Sequence, residues 1–129
     1  MASIIKNEEV FINGDGETSR DFCYIENTVQ MNLLAAMSDN YDSVNQVYNV
    51  ALNNRTSLNQ LYEMIEERLI QRIGGLTKKR PSYRDFRAGD VRHSLADITK
   101  AQTRLGYEPT HRIDEGLKEA MDWYVNDLS

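Results

Sequence analysis

The segment YRDFRAGDVRHSLADITKAQTRLGYEP, residues 83–109, carries the densest set of structural signals in the chain. It opens with Arg84, Arg87, Arg92 and His93 gathered around one glycine, Gly89, and then turns helical. Asp97 is placed to cap that helix, with Ile98, Ala101 and Leu105 on its apolar face. Gly106 stands where a helix stops, and Pro109 blocks any continuation. Upstream, RPSYRDF (80–86) reads as a strand that lies at an edge or begins after Pro81, because proline cannot donate to a ladder.

Working outward, EVFING (9–14) alternates apolar and polar residues and meets a GDG turn, so it reads as a strand closed by a bend. RDFCYI (20–25) reads as a second strand. From Glu26 the spacing becomes helical, with Val29, Leu33, Ala36 and Met37 on one face. QVYNVAL (46–52) is β-rich and predicts a short buried strand. Ser57 with Gln60 three residues on is a capping-box pattern. Leu58, Leu61, Tyr62, Ile65 and Leu69 follow as an amphipathic stripe that Gly74 and Gly75 end. A last helix places Leu117, Met121, Tyr124 and Leu128 inward. The expected class is α+β: short strands with about four helices and no steady βαβ rhythm, hence no complete doubly wound sheet. ASIIKNEE at the start resembles the tail of a helix, so the chain reads as a piece of something larger.

At 129 residues the chain has the size of one domain, and 40% hydrophobic residues suffice for a modest core. No apolar run approaches the roughly 20 residues of a membrane span, and the N-terminus lacks the apolar stretch of a signal peptide. The single cysteine, Cys23, fits a reducing cytoplasm. A formal charge of -5 argues against a general nucleic-acid binder. The charge is uneven: between Lys78 and His93, six Lys or Arg face two Asp. A local basic segment on an acidic chain suits a small anionic ligand.

Two places could hold such a ligand. Arg20 follows the Gly14–Gly16 turn, and its guanidinium could fork onto phosphate oxygens. The competing reading is a β-hairpin turn with Arg20 on Asp21 or Glu17. Arg87 and Asp90 would share one side of a turn at Gly89, the arginine for an anion and the carboxylate for ribose hydroxyls. Alternatively the two simply pair with each other. His93 and His111 have no partner ligands for a metal site, and Cys23 reads as core. Neither GxGxxG nor a Walker loop occurs, and no tyrosine has a lysine four residues downstream. TKKRPSYR (77–84), with only Tyr83 and the nearby Phe86 as aromatics, is a weak nucleic-acid signal.

Taken together, GDGETSRDFCYIENTVQMNLLAA, VYNVALNNRTSLNQL and YRDFRAGDVRHSLADITKAQTRLGYEP resemble the C-terminal half of the NAD-dependent nucleotide-sugar epimerase/dehydratase family, which are extended short-chain dehydrogenases. The resemblance is strongest to bacterial UDP-N-acetylglucosamine 4-epimerases of polysaccharide biosynthesis. It implies that residues 1–129 form a UDP-sugar-binding domain or fragment without the Rossmann sheet of the NAD-binding domain. It gives Arg20 and Arg87 the UDP diphosphate, Asp90 the uridine ribose and Phe22 a place near the nucleotide. Ser94 falls where relatives restricted to unsubstituted hexoses can carry tyrosine, so a small residue there leaves room for an N-acetyl group. Glu26 stands where many relatives have Asp. The resemblance also implies that NAD belongs to the full-length enzyme and not to this chain, that this chain alone is inactive, and that it is a monomer although the full-length enzyme dimerises. The alternatives are the substrate domain of a related dehydratase or uronate epimerase, and a stand-alone non-enzymatic module.

Overall fold

The computed structural model describes residues 1–128, with side chains through Asp127. Among these residues the chain is α+β, with four short strands and five α-helices. The strands are β1 (Phe11–Asn13), β2 (Ser19–Arg20), β3 (Thr56–Ser57) and β4 (Ser82–Arg84). The helices are α1 (Ala2–Ile5), α2 (Ile25–Ala36), α3 (Leu58–Arg72), α4 (Thr99–Leu105) and α5 (Ile113–Leu128), with a 3-10 turn at Tyr41–Ser43. The helix beyond the expected four is the single-turn α1, where the sequence shows only a helix tail. Among the described residues no helix is long and apolar enough to cross a membrane. The chain divides into two compact units, one of residues 1–20, 56–93 and 117 onward, the other of residues 21–55 and 94–116.

In the first unit β1 runs parallel to β4, pairing Phe11 with Ser82 and Asn13 with Arg84. Ile12 is buried between two exposed neighbours, the period of two that a half-buried strand requires. β2 runs antiparallel to β3, with Arg20 opposite Thr56. So the two strands flanking the glycine turn do not pair with each other, and the hairpin reading of residues 9–25 is wrong. The turn lets the chain step from one sheet to the other, with Gly14 and Gly16 at φ +81° and +79°. The second predicted strand also stops at Arg20. Asp21 explains this, since its carboxylate accepts Leu52 N (2.9 Å) and Ala96 N (3.4 Å), side-chain bonds that stand where a neighbouring strand would be.

The capping box forms as read: Gln60 N donates to Ser57 Oγ (3.2 Å) and Ser57 N to Gln60 Oε1 (2.9 Å). It contributes about 1 kcal/mol. Tyr62 and Leu69 are buried on α3, and Met121 is buried on α5. Leu117 and Tyr124 of α5 are half-buried, and the side chain of Leu128 lies outside the described residues. An apolar count misses Glu66, which is 1% exposed between Tyr62 and Leu69. Its Oε1 accepts from the Tyr62 hydroxyl (2.8 Å) and from Lys79 N (2.8 Å), fastening the segment that leads into β4. Burial, then the neighbouring Glu66, pushes the Tyr62 phenol up to about 12.

In the second unit Met31, Ala51, Ile98, Ala101, Leu105 and Tyr107 form the core, with Leu34, Tyr48, Val50 and Ala96 against it. α2 is present, but the face expected inward is exposed: Val29 is 49%, Leu33 57% and Met37 78% accessible, and Ala36 is exposed too. Asn27, Met31 and Leu34 face inward instead. Asn27, fully buried, decides this rotation: its Nδ2 donates to His111 O (2.7 Å) and its Oδ1 accepts Thr110 N (2.9 Å) and His111 N (3.1 Å). QVYNVAL makes no ladder, since no strand lies beside it. Its end is held by side chains, with the Tyr107 hydroxyl donating to Ala51 O (3.0 Å). Asp97 Oδ1 accepts Thr99 N (2.8 Å) at the start of α4, and Gly106 ends it in the left-handed region at φ +67°.

Replacing Glu66 by Ala strands the Lys79 N–H and removes one acceptor of Tyr62. The expected loss is roughly 1–3 kcal/mol in urea unfolding, with Lys79 amide protection lost first. An unchanged midpoint would mean that this buried carboxylate does not hold the segment.

Candidate functional site

Arg20 sits at the end of β2, and two of its N–H groups are committed. Nη1 donates to Ser19 O (2.8 Å) and Nη2 to Asp90 Oδ1 (2.5 Å), leaving the rest of a five-donor fork available. Neither local competitor for Arg20 takes part. Asp21 is spent on backbone amides, and Glu17 Oε1 accepts from Asn59 Nδ2 (2.7 Å). The pair is partly exposed, its side chains 28% and 40% accessible.

Asp90 closes a turn that begins at Arg87, with Asp90 N donating to Arg87 O (3.2 Å). Gly89 holds the third position at φ +77°, the value a type II turn demands there. An added Cβ at Gly89 would meet nothing within 4 Å, so the requirement is conformational and not steric. Arg87 and Asp90 therefore share a turn, as the sequence implies, but their side chains do not pair. The Asp90 carboxylate goes to Arg20, and the exposed Arg87 guanidinium makes no ion pair or hydrogen bond among the described residues. Of the five expected site residues, the structure thus brings Arg20 and Asp90 into contact and puts Arg87 on the turn of Asp90. Phe22 and Ser94 belong to the second unit, where Phe22 is half-buried and Ser94 exposed.

Several contacts around these residues carry no local sequence signal. Arg92 Nη2 donates to Asp15 Oδ2 (2.6 Å), tying the glycine turn to the basic segment. The Arg84 guanidinium lies 3.4 Å from the centre of the Phe11 ring. His93, counted in the sequence among the basic groups and weighed as a metal ligand, shares a hydrogen bond with Ser19 Oγ (2.9 Å). Among the described residues no group of three or more His, Cys, Asp or Glu is placed to hold a metal ion.

The family of GDP-mannose 4,6 dehydratase matches residues 1–120. The chain belongs to that family. Its homologues are nucleotide-sugar epimerases and dehydratases of the extended short-chain dehydrogenase type, and its fold is that of their C-terminal part. The UDP-glucuronate 4-epimerase of Thermodesulfobacterium geofontis is 33% identical over 93% of this chain and 34% of its own length. The UDP-glucose 4-epimerase of Thermotoga maritima, solved with UDP-glucose, is 37% identical with a TM-score of 0.83, over 99% of this chain and 38% of that one. The UDP-N-acetylglucosamine 4-epimerase of Methanobrevibacter ruminantium M1, solved with UDP-N-acetylmuramic acid, is 36% identical with a TM-score of 0.82, over 98% and 38%. The chain spans about a third of the length of the curated relatives it matches.

NAD, which the family implies, does not fit the glycine turn at residues 14–16. A Cβ at Gly14 would lie 2.5 Å from the Phe86 ring, and one at Gly16 1.8 Å from the Asn59 side chain. Both glycines are consumed by protein packing, so the turn is no cradle for a dinucleotide pyrophosphate.

The Arg92 hydrogen bond, and next the Glu17 amide, hold the Asp15 carboxyl below its ordinary value of 3.8. A lowered carboxylate stabilises the fold fully above its ordinary value and ceases to as pH falls through the lowered one. Carbon-detected titration of Asp15 is expected to give a midpoint below 3.8, with Arg92→Gln raising it. A wild-type midpoint at or above 3.8 would show that the turn is not tied down.

Proposed function

We propose that residues 1–129 are a UDP-sugar-binding domain that holds the nucleotide handle for a 4-epimerase acting on UDP-N-acetylglucosamine and its 4-epimer. The observation that carries this reading is the Arg20–Asp90 contact, which joins two segments seventy residues apart in sequence and sets the open Arg87 guanidinium on the same turn. Arg20, with its uncommitted N–H groups, and Arg87 take the two phosphates; charge-assisted bonds of this kind are the strongest a guanidinium makes. Asp90 keeps Oδ2 for a ribose hydroxyl, a neutral donor that a carboxylate tolerates beside a phosphate. The family resemblance alone, and not the geometry, gives Phe22 to the nucleotide and lets the small Ser94 admit an acetamido group.

The part played here is binding and orientation. A nucleotide anchored at its diphosphate leaves the sugar free to turn over, as 4-epimerisation requires. Hydride transfer is the chemistry of NAD in the whole enzyme, and no step of it falls to these residues. Taken alone, the chain is an inactive, cytoplasmic monomer. A second reading, a uronate epimerase domain, draws on the 33% identity to a UDP-glucuronate 4-epimerase.

Amide-detected titration with UDP-N-acetylglucosamine tests both readings. Shifts are expected at Arg20, Arg87 and Asp90 with a dissociation constant in the millimolar range, about -4 kcal/mol. UMP, with one phosphate, binds more weakly, and Arg87→Gln weakens UDP by about tenfold, the loss of one charge-assisted contact. UDP-glucuronate binding more tightly than UDP-N-acetylglucosamine would favour the uronate enzyme. No shift at any of the three residues at several millimolar would contradict nucleotide binding.

A further inference from the structure

Ser19 precedes Arg20 and is buried, and its polar groups are spent on the neighbouring segment and on Arg20 itself. Its N–H donates to Arg92 O (3.0 Å), and its carbonyl accepts Arg20 Nη1 (2.8 Å). Its hydroxyl shares a hydrogen bond with His93 Nδ1 (2.9 Å), a bond that either neutral tautomer of the ring can make. Ser19 and His93 are also joined by an isolated parallel β-bridge. One residue thus contacts the guanidinium that would meet the anion and also the segment that bears Asp90.

The Arg20–Asp90 pair needs such support. Half-exposed ion pairs contribute little because water screens them and two long side chains must be immobilised. β2 is two residues long and pairs with β3 over those two residues only. The segment from Asp90 to His93 joins no named strand, and its attachment to β2 runs through Ser19 N, the Ser19 hydroxyl and Arg20 itself.

We propose that Ser19 and His93 form a positioning pair that holds Asp90 against Arg20 and so pre-shapes the diphosphate and ribose site. Neither residue touches the nucleotide. Ser19 acts through its hydroxyl and carbonyl, and His93 through Nδ1. The inference rests on the nucleotide-binding reading for its purpose, though the clasp itself exists without ligand.

The test uses His93→Leu and Ser19→Ala, which remove the hydrogen bond, and His93→Asn and Ser19→Thr, which keep a polar atom near Nδ1 and a hydroxyl. His93 is exposed, so its replacement empties no core and the fold survives. In the ligand-free protein the Arg20 side-chain N–H resonances are followed, together with the amide fingerprint of the remainder. His93→Leu and Ser19→Ala are expected to speed Arg20 N–H exchange severalfold while the fingerprint beyond residues 18–21 and 87–94 stays put. They are expected to weaken UDP roughly fivefold, the worth of one lost hydrogen bond, and the conservative pair restores both. Unchanged Arg20 exchange in His93→Leu would overturn the proposal. So would failure of Ser19→Thr and His93→Asn to restore what the other two lose. Faster Arg20 exchange in a protein whose wild type ignores UDP would uphold the clasp and reject the nucleotide reading, so the two failures remain distinct.

Discussion

The contact between Arg20 and Asp90 is the constraint from which the functional account follows. A guanidinium at the end of a two-residue strand and a carboxylate at the end of a glycine turn would each be mobile alone. Brought together at 2.5 Å, they put a guanidinium beside the turn that bears both Asp90 and Arg87. Their mutual neutralisation also matters. In the proposed function Arg20 offers its remaining donors without adding a second uncompensated charge, and Arg87 supplies the net positive field. In the proposed binding mode an anion is drawn by Arg87 and then ordered by Arg20.

The surrounding structure serves that geometry by cross-ties more than by a large core. Asp15 with Arg92 and Ser19 with His93 join parts of the first unit that lie far apart in sequence, and Glu66 with Lys79 N ties the segment before β4 back to α3. Short strands gain little from their own ladders, so side-chain bonds to backbone take over the work of register. The second unit applies the same device differently: Asn27, wholly buried, anchors the chain before α5, and Asp21 holds two backbone amides.

Features governed by neighbours in sequence were legible before any coordinates. The Ser57–Gln60 box, the Gly106 stop, the turn at Gly14–Gly16 and the shared turn of Arg87 and Asp90 all depend on a few adjacent residues, and all are present. What escaped was set at long range. β propensity in RDFCYI and QVYNVAL says that a strand would be tolerated, but a ladder needs a partner, and beyond Arg20 those segments have none. The inward face of α2 follows Asn27, a polar residue that apolar periodicity counts as outward. Ser19 with His93, and Arg20 with Asp90, are separated by more than seventy residues or nearly so, and no spacing rule reaches that far.

The most direct measurement is a crystal structure of this chain grown with millimolar UDP. The account predicts one diphosphate within hydrogen-bonding distance of both the Arg20 and Arg87 guanidinium groups, with a ribose hydroxyl donating to Asp90. A nucleotide bound elsewhere, or a diphosphate on Arg87 with Arg20 turned away, would contradict it.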